Sequence, residues 1–588
     1  MKRDALIVAM LIVAACVVQS YMIFRAVTPA QDAVRFVSIA QRMEREGVVP
    51  TIRDETEHPL FPAAIRATYP VVKWIRGPRS DNWATAAQWS AALPLVLCVL
   101  PIFWLLRAVV SAWGAALGTL VFSTAREFAA LGASALSDGW TLLFTCWFLA
   151  CIARLILRAK QKDAPSYRLI AVALGVSAGI ALGLASMAHQ LALVSGAAAI
   201  LMASVLVLFA APTRWLAVKH IACCAVFVGV GLSGVCTPWL ATAGVDSTSS
   251  AIARLLGRET GETDEFASVF DASAISDIES SETAIQEVSP SKRQARSKKK
   301  WWLESGDKMA FDKKDPNLSL RRHGLAAAGS KFAQEFPQAI GLLIGGFVLI
   351  GVGDRIRRLF LRQHRRDENS PQHAHLVERR PLPTFFTGFF LLYAATLLAG
   401  AARFGYVEAR HLLPLVIVLL PLAVEPLVAL CGCFRAKESN ALAPARKRMI
   451  VVAALMTGWF LAAVPLISPL HASRAPHRQA ANWIAASEQL DAAVLDTRGW
   501  TQFYSGKSTY LLSAGRRALR DPKLKYIVLE RRELEFESAR SATLREIVGA
   551  PDEPAATFAA VSGPEKDVLV FRWDAKRFST RKTKIARR

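Results

Sequence analysis

Long stretches with almost no charge recur along this chain, separated by short segments crowded with Lys and Arg. A bilayer crossing needs roughly 20 apolar residues, and about eleven stretches qualify: 5–24, 90–106, 108–125, 139–157, 169–186, 190–210, 219–240, 337–353, 383–402, 411–431 and 449–470. The third is rich in Ala and Gly and reads as the weakest, partly re-entrant. This segregation reconciles 53% hydrophobic residues with a formal charge of +24 over 588 residues. It predicts a polytopic α-helical membrane protein whose basic excess reports topology. No compact basic module with interleaved aromatics appears, so no nucleic-acid partner is expected. The nine cysteines all lie in or at the ends of apolar runs, which excludes a disulfide framework or a zinc site made from them.

Lys and Arg in the loops set the orientation. With "MKRD" in the cytoplasm, the inside loops are 158–168, 211–218, 354–382 and 432–448, of which all but 211–218 are markedly basic. The outside segments are then 25–89, 126–138, 187–189, 241–336, 403–410 and a tail, 471–588. The first apolar run is read as an uncleaved anchor of an inner (plasma) membrane protein, because it continues past the signal-like "VAAC" to Phe24. Four regions follow: a transmembrane module over 1–240 with its first outer loop at 25–89, an insertion over 241–336, further transmembrane helices over 337–470, and the tail. The insertion runs from acidic to basic with low hydrophobicity and is expected to be mobile. In the tail, "HRQAANWIAASEQL" has helical spacing, while "AAVLD", "YIVLE" and "DVLVFRW" read as strands, so a small extracytoplasmic α/β unit is predicted.

This topology collects reactive side chains on the outer side. Asp32 opens "QDAVRFVSIAQRMEREG", whose Val34, Val37, Ile39, Ala40 and Met43 recur at helical spacing, as in an amphipathic helix lying along the membrane. A carboxylate at that end is favoured by the helix dipole, and a simple N-cap is the plainer reading. "EHPLFP" brings Glu57 and His58 into a stiff loop, as candidates to bind a divalent metal or orient an acceptor. Asp138 stands at the mouth of the fourth span, where it also reads as a cap. His189 falls in an outer turn. Arg403, Glu408, Arg410 and His411 crowd the short loop before the tenth span. Arg410 leads into "LLP" on the side that the positive-inside rule disfavours, and its planar fork suits a phosphate. Several carboxylates, a His and an Arg from separate loops suit a reaction between a lipid-borne phosphate and a hydroxyl at the interface. A small-molecule transporter is the alternative, although transporters bury ionisable groups in mid-span. A non-catalytic membrane scaffold is another.

The order of motifs resembles the GT-C class of membrane glycosyltransferases, which holds the protein O-mannosyltransferases, the aminoarabinose transferases of lipid A and many bacterial lipopolysaccharide glycosyltransferases. The motifs are Asp32, Phe36, Ala40 and Gly47; His58-Pro59-Leu60-Phe61-Pro62 in place of "PPLYP"; Ser137-Asp138 before a span; Arg410-His411-Leu412-Leu413-Pro414 in place of "RYLLP"; and Phe503-Tyr504-Ser505-Gly506 in the tail. They cover about residues 1–240 and 380–510. The resemblance implies a polyprenyl-phosphate sugar donor, a glycolipid, glycan or protein acceptor, and inversion at the anomeric carbon. It implies Asp32 as general base with Asp138 as the second catalytic carboxylate. Arg410 and His189 would meet the donor phosphate, with Glu57 and His58 toward the acceptor or a divalent metal. The chain departs from the pattern at Ala33, Phe36, His58 and His189.

Overall fold

The computed structural model describes residues 2–55, 57–158, 166–189, 191–210, 214–243, 316–362, 381–404, 407–432, 466–486, 491–535, 539–549 and 553–574. Most of these are helical. The helices are α1 (Lys2–Arg25), α2 (Asp32–Arg45), α3 (Val48–Asp54), α4 (Leu60–Arg76), α5 (Asn82–Arg107), α6 (Ala112–Ser123), α7 (Arg126–Ser134), α8 (Asp138–Arg158), α9 (Ser166–Ala188), α10 (Leu191–Ala210), α11 (Arg214–Thr242), α12 (Pro316–Arg362), α13 (Pro381–Phe404) and α14 (Leu413–Gly432).

Among the described residues, eight helices are long and apolar enough to cross a membrane, as in an integral membrane protein. They answer the first, second, fourth to seventh, ninth and tenth predicted spans. The third does not form a span: its helix α6 has only 12 residues, about 18 Å at 1.5 Å per residue and short of a hydrocarbon core of about 30 Å. The eighth is half of a bent pair, Leu325–Gly341 and Ile344–Gly353, which turns through 101°. Gly341 takes a φ of 67° at that corner, which a Cβ would disfavour. The eleventh span, 449–470, lies mostly outside the described residues, as does the insertion up to residue 315. From Pro316 the predicted insertion is already helix, as the first part of α12.

α5 and α8 lie at the centre of the bundle, with most of α5 buried. α9 and α11 meet closely because Gly175, Gly179 and Gly183 repeat every four residues on the contact face. A Cβ on Gly179 would lie 2.1 Å from the Val228 carbonyl oxygen. Such small-residue stripes let membrane helices approach backbone to backbone.

α2 does not rest its apolar face on lipid. Val34, Val37, Ile39, Ala40 and Met43 are all buried in the protein. Val34, Val37 and Ala40 join Phe61 and Ile65 of α4, Ala87 and Ala91 of α5, and Trp500 and Phe503 of the tail in one cluster. Phe36 and Phe61 meet edge to face at 5.1 Å, so the Asp32 motif is joined to the Pro-rich one.

The tail holds α15 (Ala475–Ala485) and strands β1 (Ala493–Asp496), β2 (Ser508–Leu511), β3 (Leu524–Glu530), β4 (Ala556–Phe558) and β5 (Val568–Arg572). The sheet order is β2-β1-β3-β5-β4. β1 is parallel to β2 and β3, whereas β5 is antiparallel to β3 and to β4. The three strands read from the sequence are the central ones, each with a run of at least three consecutive apolar residues. The edge strands "STYL" and "ATF" have no such run.

Candidate active site

Three helix starts converge at one end of the bundle. Asp32 occupies the first turn of α2 and Asp138 the first turn of α8. Arg410 sits in the single 3-10 turn Ala409–Leu412 that feeds α14. Asp32 does not act as the cap: Gln31 holds that position, without a side-chain capping bond. Both carboxylates lie where the helix dipole favours negative charge.

Arg410 joins them. Its Nη2 donates to Asp32 Oδ2 at 3.3 Å, its Nη1 lies 3.5 Å from Asp138 Oδ2, and its Nε lies 2.7 Å from Glu408 Oε2. The guanidinium is only 14% exposed. The turn that carries it is fixed from several sides. Glu408 and His411 form a reciprocal capping box, the Ala409 N–H donates to Glu335 of α12 at 3.1 Å, and Tyr393 of α13 donates to the His411 carbonyl at 3.3 Å.

His189, between α9 and α10, enters the same pocket. Asp138, His189 and His411 each offer one ligand atom, and the three atoms lie within 4.8 Å of one another. Burial pulls the His189 pKa down. Asp138, Glu57 and Asp32 oppose that and Arg410 adds to it, so the ring is held neutral. His411 belongs to the site although motif order does not single it out: it stands where the resembling family has an aromatic, and only the fold brings it beside Asp138.

A carboxylate with two imidazoles at this spacing suits a divalent cation. The hydrogen bonds that hold the rings have the opposite polarity. The Nδ1 of His189 accepts the Leu191 N–H at 3.2 Å, and the Nδ1 of His411 accepts the Glu408 N–H at 3.3 Å. The neutral rings therefore carry their protons on Nε2. A cation would have to displace or oppose those backbone donors, whereas an anion would meet two ring N–H groups and Arg410.

Glu57 and His58 are not part of that ligand set. Glu57 pairs with Arg35 of α2 at 2.7 Å. His58 is buried, with its ring 5.6 Å from that of Trp239 at the end of α11. The field of Glu57 nevertheless reaches His189. The cysteines read as apolar are free thiols among the described residues.

No protein-family model and no curated protein matches the sequence. Solved structures do match its fold. The archaeal oligosaccharyltransferase AglB from Archaeoglobus fulgidus, in complex with an inhibitory peptide and a dolichol-phosphate, aligns with a TM-score of 0.51 at 12% identity over 98% of this chain and 77% of that one. An oligosaccharyltransferase of the same organism, complexed with Zn and sulfate, gives 0.50 at 12% identity, over 94% and 72%. ArnT from Cupriavidus metallidurans bound to undecaprenyl phosphate gives 0.50 at 12% identity, over 96% of this chain and 97% of that one. AglB and ArnT are GT-C glycosyltransferases. The likeness read from a handful of motifs thus extends along nearly the whole chain, which has the fold of the GT-C membrane glycosyltransferases.

Proposed function

We propose that this protein is an inverting glycosyltransferase that moves a sugar from a polyprenyl-phosphate donor to a hydroxyl group of a glycolipid, glycan or protein on the extracytoplasmic face. The observation that carries the reading is the single guanidinium of Arg410 held between Asp32 and Asp138, three residues drawn from distant parts of the sequence to one end of an apolar bundle. The dolichol-phosphate and undecaprenyl phosphate bound in solved structures of like fold support a lipid-phosphate donor. The helix ends that lead into the basic stretches, at Arg158 and Gly432, are opposite to those that bear the site, which supports an extracytoplasmic reaction.

Asp32 acts as general base. It takes the proton from the acceptor hydroxyl as that oxygen attacks the anomeric carbon. The bond from that carbon to the phosphate oxygen breaks in the same step, and the single displacement inverts the configuration. Asp138 stabilises the positive charge that develops on the sugar ring. Arg410 and the Nε2–H groups of His189 and His411 receive the negative charge on the departing phosphate. Before the donor binds, the charge of Arg410 is shared among Asp32, Asp138 and Glu408. An arriving phosphate competes for its N–H groups, so donor binding itself frees Asp32 for the acceptor. A divalent cation, if taken up, would be held by Asp138, His189 and His411 and would add Lewis-acid charge beside the phosphate; no step here depends on it. Glu57 and His58 stand at the acceptor side.

The test is incubation of membranes containing the protein with labelled polyprenyl-phosphate sugars, followed by identification of what becomes labelled. The reading requires a labelled hydroxyl product that disappears in Asp32→Asn. Full transfer by that variant would remove Asp32 from its role.

A further inference from the structure

The segment that leads to Asp32 has little structure of its own. Residues 26–31 connect α1 to α2: the Ala26 N–H closes the last turn of α1 on the Met22 carbonyl at 3.0 Å, the Ala30 N–H donates to the Ser134 carbonyl at the end of α7 at 2.9 Å, and the Ala30 and Gln31 carbonyls accept from the first turn of α2. The segment's other backbone partners come largely from the far end of the chain. The Val27 N–H donates to the Leu470 carbonyl at 3.0 Å. The Val27 carbonyl accepts from Arg478 Nη1 at 3.2 Å and Tyr504 Oη at 3.4 Å. The Pro29 carbonyl accepts from Arg474 Nη1 at 3.2 Å and Trp500 Nε1 at 3.4 Å. Gln502 reaches into α2 itself. Its Nε2 donates to the Val34 carbonyl at 2.9 Å and its Oε1 accepts from Ser38 at 3.0 Å. Gly499 allows the approach: with a φ of 80° it lies where a Cβ would be 2.5 Å from Val34 Cγ1.

The loop that makes these contacts, 497–504, leaves the end of β1 and is locked from behind. Asp496 accepts the N–H groups of Arg498 and Thr501, each at 2.8 Å. Arg498 Nη2 donates to Glu530 Oε2, at the end of β3, at 2.9 Å. Glu530 Oε1 is 3.1 Å from His477 Nε2, and the His477 ring packs on Trp500 with centroids 4.4 Å apart. Arg532 and Glu533 complete the cluster, at 2.5 Å from Glu530 and 3.7 Å from Arg498 respectively. In open α/β sheets the crevice beyond two strand ends where the chain changes direction is the usual ligand site. Here that crevice, between β1 and β3, is filled by the protein's own ion network.

We infer that the tail is a positioning element of the active site: its 497–504 loop, braced by Glu530, fixes the 27–34 segment and thereby the placement of Asp32. Gln502, Trp500 and Glu530 are positioning residues, and the inference rests on the reading of Asp32 as the base. It calls for a loss of turnover without a loss of donor affinity. A displacement of about 1 Å at a reacting group can cost on the order of 10²-fold in rate.

The test uses the full-length protein in detergent or nanodiscs and the variants Gln502→Ala, Gln502→Met and Glu530→Gln. Three quantities are measured: hydrogen exchange of the 27–38 amides, binding of undecaprenyl phosphate alone, and the kcat and KM for labelled polyprenyl-phosphate sugar. The expected result is faster exchange confined to 27–38 and the 497–504 loop, phosphate binding and KM within twofold of wild type, and kcat lowered about 10-fold or more. Gln502→Met, which keeps the packing, should behave as Gln502→Ala does. Unchanged exchange at 27–38, or faster exchange there with an unchanged kcat, overturns the inference. So does exchange that rises throughout the tail together with loss of phosphate binding, which would mark a merely structural role. If wild type transfers no sugar at all while the exchange result is as expected, the proposed activity falls and the clamp itself stands.

Discussion

At the level of single residues, the site is an arrangement in which one cation serves three carboxylates, Asp32, Asp138 and Glu408. Asp32→Asn should lower transfer by about 10²–10⁴-fold, the usual worth of a general base, measured as initial rate with labelled donor. Arg410→Lys keeps the charge but loses the planar fork, and one ammonium cannot reach Asp32 and Asp138 as Nη2 and Nη1 do. It should raise the donor KM as well as lower kcat. The polarity of the bonds to His189 and His411 predicts that transfer survives EDTA; loss of activity restored by Mn²⁺ or Zn²⁺ would instead assign the pair to a cation. His471 gives a pH dependence of stability. Burial, reinforced by Arg474, lowers its pKa to about 3, and its Nε2 meets Ser134 Oγ at 3.0 Å. The unfolded chain binds this proton at about pH 6.5 and the folded one only near pH 3, so stability falls as pH drops below about 6.5, by up to about 1.4 kcal/mol per unit. Thermal unfolding between pH 7 and pH 4 should show a slope that is flatter in His471→Gln. Which of these residues were legible in the sequence depended on motif order. Asp32, Asp138, Arg410 and His189 could be named, but Arg35 as the partner of Glu57, and Trp239 beside His58, follow from packing that no local pattern encodes.

Among elements, apolar periodicity located helices far better than it located their surroundings. α2 has the spacing of an interfacial helix, and a one-sided apolar stripe says only that something apolar covers it. In the fold that cover is α4, α5 and the tail. The run 108–125 failed as a span because Ser111 caps a new helix at Ala112, with the Gly114 N–H donating to its Oγ at 3.2 Å, which divides the apolar stretch. The α9–α11 contact offers a test at this scale. Gly179→Leu places a side chain where the Val228 carbonyl lies within 2.1 Å of the new Cβ. The two helices must separate, and the apparent Tm in detergent should fall by about 1–3 degrees, as overpacking of about 1–3 kcal/mol implies for a chain of this length. Gly229, with open space at its Cβ position, is the control, and Gly229→Ala should leave the Tm within about a degree.

For the molecule as a whole, charge distribution in the sequence predicts an orientation that can be tested chemically. Val561 of the tail is 98% exposed. Val561→Cys should be labelled in intact cells by a membrane-impermeant maleimide, above the background of the native cysteines; labelling only after lysis would invert the topology. The order in which the chain is made adds a constraint of a different kind. Arg410 and Asp32 are 378 residues apart, and Tyr504 and the Val27 carbonyl it meets are 477 apart. At about 5–20 residues per second, the first outer loop waits on the order of half a minute to a minute and a half for its last partners. A nascent or truncated chain therefore holds Asp32 without the groups that aim it. On the proposed reading, only finished copies would turn over a donor, and an arrested chain that ends before the tail should show no transfer.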